Sequence, residues 1–248
     1  MVTASGDNLL PVFKDGAARS KFISINITAP SKRAGNKIGR DCHMYFGEKF
    51  NAITHLVGAI LALVGSIVLI VLAAMHGDAW KVVSVSIYGV TLVLLYSFSA
   101  LYHSLRGRAK IILRELDHHS IYLLIAGSYT PFCLVTLRGA WGWTLLGVVW
   151  GLALLGSLQE LKFKSGARIL SIVIYVVMGW VAVLALVQLR QALGPSGFAW
   201  LLAGGLFYTI GIVFYVLDTR LTHAHGIWHL FVIAGSASHY IAILFYVL

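Results

Sequence analysis

Past residue 50 the chain alternates between long apolar runs and short polar joins. Seven runs of roughly 18–25 residues stand near 52–75, 82–105, 118–137, 140–158, 169–189, 198–217 and 224–248. A helix needs about 20 apolar residues to cross the ~30 Å hydrocarbon layer of a bilayer. The pattern therefore predicts an all-α integral membrane protein with seven transmembrane helices over residues 47–248. Residues 1–46 read differently. They are rich in Ser, Gly and Asn with scattered Lys and Arg, and they predict a polar, mostly disordered tail with a short interfacial piece near Met44 to Phe50. No apolar run precedes the first span, which argues against a cleaved signal peptide. Val2 stands where N-myristoylation needs a glycine.

Composition strengthens the membrane reading. The 248 residues are 59% hydrophobic and 11% charged, against about 25% charged in an ordinary soluble domain. The mean hydropathy is +0.85. A net charge of +10 in a soluble chain would suggest nucleic acid. Here the basic residues sit between apolar runs, so they set membrane orientation and no nucleic-acid partner is expected. Cys42 precedes the membrane region and Cys133 lies within a span, which gives no disulfide framework and no CxxC metal motif.

The loop charges are lopsided. Eight Lys/Arg precede the first span, and Arg106, Arg108, Lys110, Arg114, Lys162, Lys164, Arg168 and Arg220 fall on the same side of the membrane. Only Lys81, Arg138 and Arg190 fall on the other. The positive-inside rule then places the N-terminus in the cytoplasm and the C-terminus outside.

That topology gathers polar side chains at one depth. The second helix ends at the cytoplasmic side with Ser99 and His103, spaced i,i+4 and so on one face. The third begins there with Asp117, His118 and His119. The seventh begins there with His225 and His229, again i,i+4 and about 6 Å apart. Single histidines at helix ends commonly sit at the interface for structural reasons, and His118, His119 and His223 are read that way. Ionisable groups converging from three helices at membrane depth instead point to a functional site. Three neutral imidazoles suit a zinc ion with one tetrahedral position left for water. Asp117 would accept that water's proton or orient a ligand, and Ser99 would hydrogen-bond the water or a substrate carbonyl. The first span opens with Glu48, Asn51 and His55 near one face. They are expected to brace the bundle beneath the site, with His55 as an alternative ligand. His239, about 21 Å beyond His225 along the helix, is expected to hydrogen-bond between helices. Thr130-Pro131 should kink the third helix. Trp80, Trp141, Trp143 and Tyr175 read in part as interface anchors.

Several stretches together resemble the progestin and adipoQ receptor family, and within it the bacterial hemolysin III branch. They are GEKFNAITHLVGAILALVG (47–65), SALYHS (99–104), LDHHSIYLLIAGSYTPF (116–132), RILS (168–171) and HGIWHLFVIAGSASHY (225–240). The resemblance implies a seven-helix fold with Zn2+ held by His103, His225 and His229, a zinc-bound water held by Asp117, and Ser99 in the matching helix 2 position. The family also looks like the alkaline ceramidases, which suggests zinc-dependent hydrolysis of a lipid amide in membrane lipid homeostasis. The competing expectations are a non-enzymatic regulator of the membrane with structural zinc, and a pore-forming cytolysin. The spans carry no charged stripe to line a wide aqueous pore, and none contains the Lys that a retinal Schiff base requires. The expected location is a bacterial inner (cytoplasmic) membrane or a plasma membrane, and the expected partner is a membrane lipid. Nothing in the chain marks a protein partner or an oligomeric state.

Overall fold

The computed structural model describes residues 47–163 and 168–248. The expectations for residues 1–46 lie outside these residues, as does Lys164, and Glu48 to Phe50 of the expected interfacial piece open the first helix. Among the described residues the regular structure is entirely helical: α1 (Glu48–Met75), α2 (Ala79–Ser104), α3 (Gly107–Pro131), α4 (Ala140–Phe163), α5 (Arg168–Trp180), α6 (Leu186–Val216) and α7 (Ala224–Tyr246). A π-helical turn, Phe132–Thr136, extends α3, and a 3-10 turn, Val181–Ala185, joins α5 to α6. Among the described residues, five stretches are long and apolar enough to cross a membrane: Glu48–Met75, Ala79–Ser104, Ala140–Lys162, Arg168–Val216 and Ala224–Tyr246. Their outward faces make this an integral membrane protein. Ile53, Ile60, Leu63, Val64 and Ile67 of α1 are exposed, which lipid accommodates and water does not.

The helices extend beyond the apolar runs. α3 begins at Gly107, three turns before the run that starts near residue 118, because Arg108, Lys110, Arg114 and Glu115 continue the helix. Hydropathy sees only the part of a helix immersed in hydrocarbon. The same charges keep α3 out of the five apolar stretches.

The fifth stretch holds 49 residues. A straight helix of that length would run ~73 Å, yet the Arg168 guanidinium donates to Asp218 Oδ1 at 2.9 Å. The run doubles back at Gly194, whose φ of 66° and ψ of 175° break α6 internally. Glycine tolerates that positive φ, and Pro195 supplies no N–H to continue the preceding helix. Trp180 Nε1 donating to Thr209 Oγ1 at 3.1 Å ties the two limbs side by side.

Pro131 ends the regular part of α3, where a kink was expected. Proline cannot donate to the carbonyl four residues back. The chain relaxes into the wider π turn, closed by Leu137 N–H donating to Phe132 O at 2.8 Å.

Small residues let the helices approach closely. A Cβ on Gly58 would fall 2.6 Å from the Tyr96 ring, and one on Gly127 would fall 2.1 Å from Thr91 Oγ1. Away from water, polar groups must find partners within the protein. Ser236 of α7 provides several. Tyr96 donates to its Oγ at 2.9 Å, the Tyr208 hydroxyl meets the same Oγ at 2.8 Å, and Tyr88 donates to its carbonyl at 3.3 Å. α7 is thereby pinned by α2 and α6, which fixes the height of the histidines in its first turns.

Candidate metal centre

His103 ends α2, and His225 and His229 open α7. Their ring centroids lie 5.1, 5.0 and 4.8 Å apart. One ring nitrogen from each falls within 4.8 Å of the other two. Zinc–nitrogen bonds of ~2.1 Å at tetrahedral angles need N–N separations near ~3.4 Å, so a modest contraction closes the three onto one ion.

The hydrogen bonds decide which nitrogens face inward. His103 Nδ1 is paired with Glu48 Oε2. His225 Nδ1 lies 3.3 Å from Asp218 Oδ2. His229 Nδ1 lies 3.2 Å from the Asn51 carbonyl and 3.2 Å from Thr54 Oγ1. Thr54 already donates its own proton to backbone carbonyls at 2.9 and 3.0 Å, so it accepts from His229. Carbonyl and carboxylate oxygens accept only. The acceptors therefore assign the proton to Nδ1 in all three rings and leave the Nε2 lone pairs for a ligand. His103 Nε2 is buried and has no hydrogen-bond partner, an expensive arrangement that a metal ion would relieve. Metal-bound histidines characteristically donate their second nitrogen to a carboxylate or carbonyl, and all three do so here.

Glu48 is held in turn. Asn51 Nδ2 donates to its Oε2 at 3.3 Å, and Lys110 Nζ approaches Oε1 at 3.4 Å. His55 stands outside the three-nitrogen cluster. Its ring stacks flat on His229, with centroids 3.5 Å apart and planes 13° apart, and it meets Tyr96 edge-on at 5.0 Å. Both His55 nitrogens are buried without partners.

A cavity of about 400 Å³ opens beside the cluster, with His225 and His229 in its wall. Ser99 and Asp117 share that wall, and the Ser99 hydroxyl is within reach of the Asp117 carboxylate. Leu95, Leu124, Ile125, Val176, Ile212 and Val232 supply apolar wall, with Tyr208, Thr209 and His239 also in the lining. A mostly apolar cleft that also carries polar side chains is the usual form of a small-molecule site.

Other sequence expectations land variously. His239 Nε2 lies 3.2 Å from the Leu201 carbonyl, an interhelical bond. His118 contributes more than an interface role, because its Nδ1 lies 3.1 Å from Glu160 Oε1 and it lines the cavity. Tyr175 is no surface anchor. Its hydroxyl donates to the His118 carbonyl at 3.2 Å and its ring packs on Tyr122 at 4.5 Å, both turned into the bundle. Trp80 and Trp143 do meet one another edge-on, at 5.8 Å. Asp218 and Thr54 escaped the sequence reading. Asp218 had one legible signal: the whole chain holds only nine acidic residues, and this one lies seven positions before His225.

The chain matches known proteins over most of its length. The family model described as Haemolysin-III related matches residues 44–240. The chain is 46% identical to Hemolysin-3 of Bacillus cereus over 202 residues, covering 81% of this chain and 92% of that protein. It is 44% identical to the Hemolysin-3 homolog of Bacillus subtilis (strain 168), covering 80% and 93% respectively. The human Monocyte to macrophage differentiation factor is 30% identical over 200 residues, covering 78% of this chain and 81% of that protein.

Proposed function

The chain belongs to the haemolysin-III related family, and from that footing we propose that it is a zinc-dependent hydrolase of a membrane lipid amide. The observation that carries this reading is the set of three imidazoles, each fixed through Nδ1, beside a membrane-embedded cavity that also holds Asp117. We place the chain seven times across the bilayer, counting α3 and both limbs of the Arg168–Val216 run, with the N-terminus in the cytoplasm. The fold-back at Gly194 and the lopsided basic residues support that count and orientation.

His103, His225 and His229 would hold the metal. A zinc ion there supplies Lewis acidity and makes a water acidic enough to ionise near neutral pH. The apolar cavity wall takes the acyl chain and keeps bulk water from the reaction. Ser99 hydrogen-bonds the amide carbonyl or the attacking water. Asp117 takes a proton from that water and passes it to the amine nitrogen as the carbon–nitrogen bond breaks. The products are a fatty acid and an amine, with the water consumed.

Purified protein with and without His225→Ala, assayed for metal content and for hydrolysis of acyl-amide lipids in mixed micelles, tests the reading. Wild type should carry about one zinc per chain and His225→Ala little. Asp117→Ala should keep its zinc and lose hydrolysis. Full hydrolysis by Asp117→Ala would remove Asp117 from the mechanism, and no hydrolysis by zinc-loaded wild type would leave zinc as a structural element. Leakage of liposomes that survives loss of His225 and His229 would favour the pore suggested by the relatives' name.

A further inference from the structure

Arg168, the first residue of α5, makes three contacts with the segment that leads into α7. Its Nη2 donates to Asp218 Oδ1 at 2.9 Å. The same nitrogen donates to the Tyr215 carbonyl, one of the last carbonyls of α6 and so without a partner inside that helix. Its guanidinium lies 4.4 Å over the Tyr215 ring. The other carboxylate oxygen of Asp218, Oδ2, faces His225 Nδ1. One carboxylate thus joins an arginine on α5 to a histidine on α7. The Tyr215 ring reinforces the link, standing 6.1 Å from His225 and 5.4 Å from Trp228.

We propose that Arg168 is a positioning residue of the metal centre, holding His225 in its ligating orientation through Asp218. The proposal rests on the reading that His103, His225 and His229 bind a metal. Asp218 lies in the turn between α6 and α7, where its side chain would otherwise choose among several rotamers. A charge-assisted hydrogen bond from Arg168 to one oxygen restricts the carboxylate's rotamers and leaves the second oxygen facing Nδ1, while the guanidinium is itself held over the Tyr215 ring. Lysine offers the charge without the flat group that lies on that ring. α5 also forms one wall of the cavity, through Ser171, Tyr175 and Gly179, and it packs sparsely against the rest of the bundle. Movement of α5 away from α6 to admit a lipid must loosen the Arg168–Asp218 bond, so the state of the cavity is felt at a metal ligand.

The test is zinc affinity, measured by chelator competition on the purified full-length protein in detergent. The proteins compared are wild type, Arg168→Gln, Arg168→Lys, Asp218→Asn and the Arg168→Gln/Asp218→Asn pair. Loss of a group that orients a metal ligand typically costs about 10–100-fold in affinity. Arg168→Gln should lose about tenfold, Arg168→Lys less, and Asp218→Asn as much as or more than Arg168→Gln. The double variant should bind no more weakly than Asp218→Asn alone, because Arg168 acts through that carboxylate. If Arg168→Gln does not fold, Arg168→Lys carries the same cycle. Wild-type affinity in the Arg168 variants, or losses that multiply in the double variant, would overturn the proposal while leaving the metal site intact. A wild-type protein that binds no zinc would overturn both.

Discussion

Glu48 and His103 are 55 residues apart in sequence and meet as carboxylate and imidazole where α1 begins and α2 ends. The pair fixes which nitrogen of His103 faces its two partners. Glu48→Gln keeps the shape but weakens the acceptor and should reduce zinc affinity about tenfold. Glu48→Ala should approach the hundredfold end of the usual range for such groups. Chelator competition reads both.

Metal should also stabilise the bundle. A ligand bound only by the folded form contributes about 2.7 kcal/mol when its free concentration is a hundredfold above Kd. A chelator should therefore lower the melting temperature of wild type in detergent by several degrees. The same chelator should leave His229→Ala unmoved. Equal shifts in the two proteins would place the stabilising metal elsewhere.

Ser236→Ala removes the side-chain partner of Tyr96 and Tyr208 at the waist of α7. A buried polar group left without its partner costs roughly 1–3 kcal/mol, so the melting temperature should fall clearly. Tyr96 can still donate to the Val232 carbonyl at 3.3 Å, so in the Tyr208→Phe background the loss from Ser236→Ala should be smaller, since the stranded hydroxyl is gone.

Gly127→Ala places a methyl against Thr91, whose side chain is buried between α2 and α3. Overpacking of this kind costs about 1–3 kcal/mol. Thr91→Ser should recover little, because the hydroxyl rather than the methyl of Thr91 lies nearest. Thr91→Ala should recover more, though not all, because the Thr91 Cβ itself lies 2.9 Å from the added methyl.

Val176→Phe narrows the apolar part of the cavity without touching the histidines. Zinc content should stay at the wild-type level while KM for long-chain amides rises more than KM for short-chain ones. A uniform change across chain lengths would mean that the acyl group lies elsewhere.

The chain announced its membrane character and its clustered histidines because both follow from simple periods. Apolar runs of the right length mark spans, and the four-residue interval puts His225 with His229 and Ser99 with His103 on single faces. What escaped depends on rotamers and on loops. Asp218 lies in a turn, where no period tells which way a carboxylate points. His55 shares a helix with Glu48, and spacing alone could not separate a ring stacked on His229 from a member of the three-histidine cluster. Tyr175 sits near the end of an apolar run, which resembles an anchor until the neighbouring helix is known. Helix lengths were underestimated wherever charged turns, as in α3, continue a helix out of the hydrocarbon.

The reversal at Gly194 joins two membrane-length limbs with no intervening loop. Such a join leaves no slack at its own end. Any rocking of one limb against the other acts as a lever pivoting there, with displacement growing along its length. The greatest travel falls at the opposite tips, where Arg168 meets Asp218. A side gate in this bundle would swing widest beside the histidines and stay shut at the far surface.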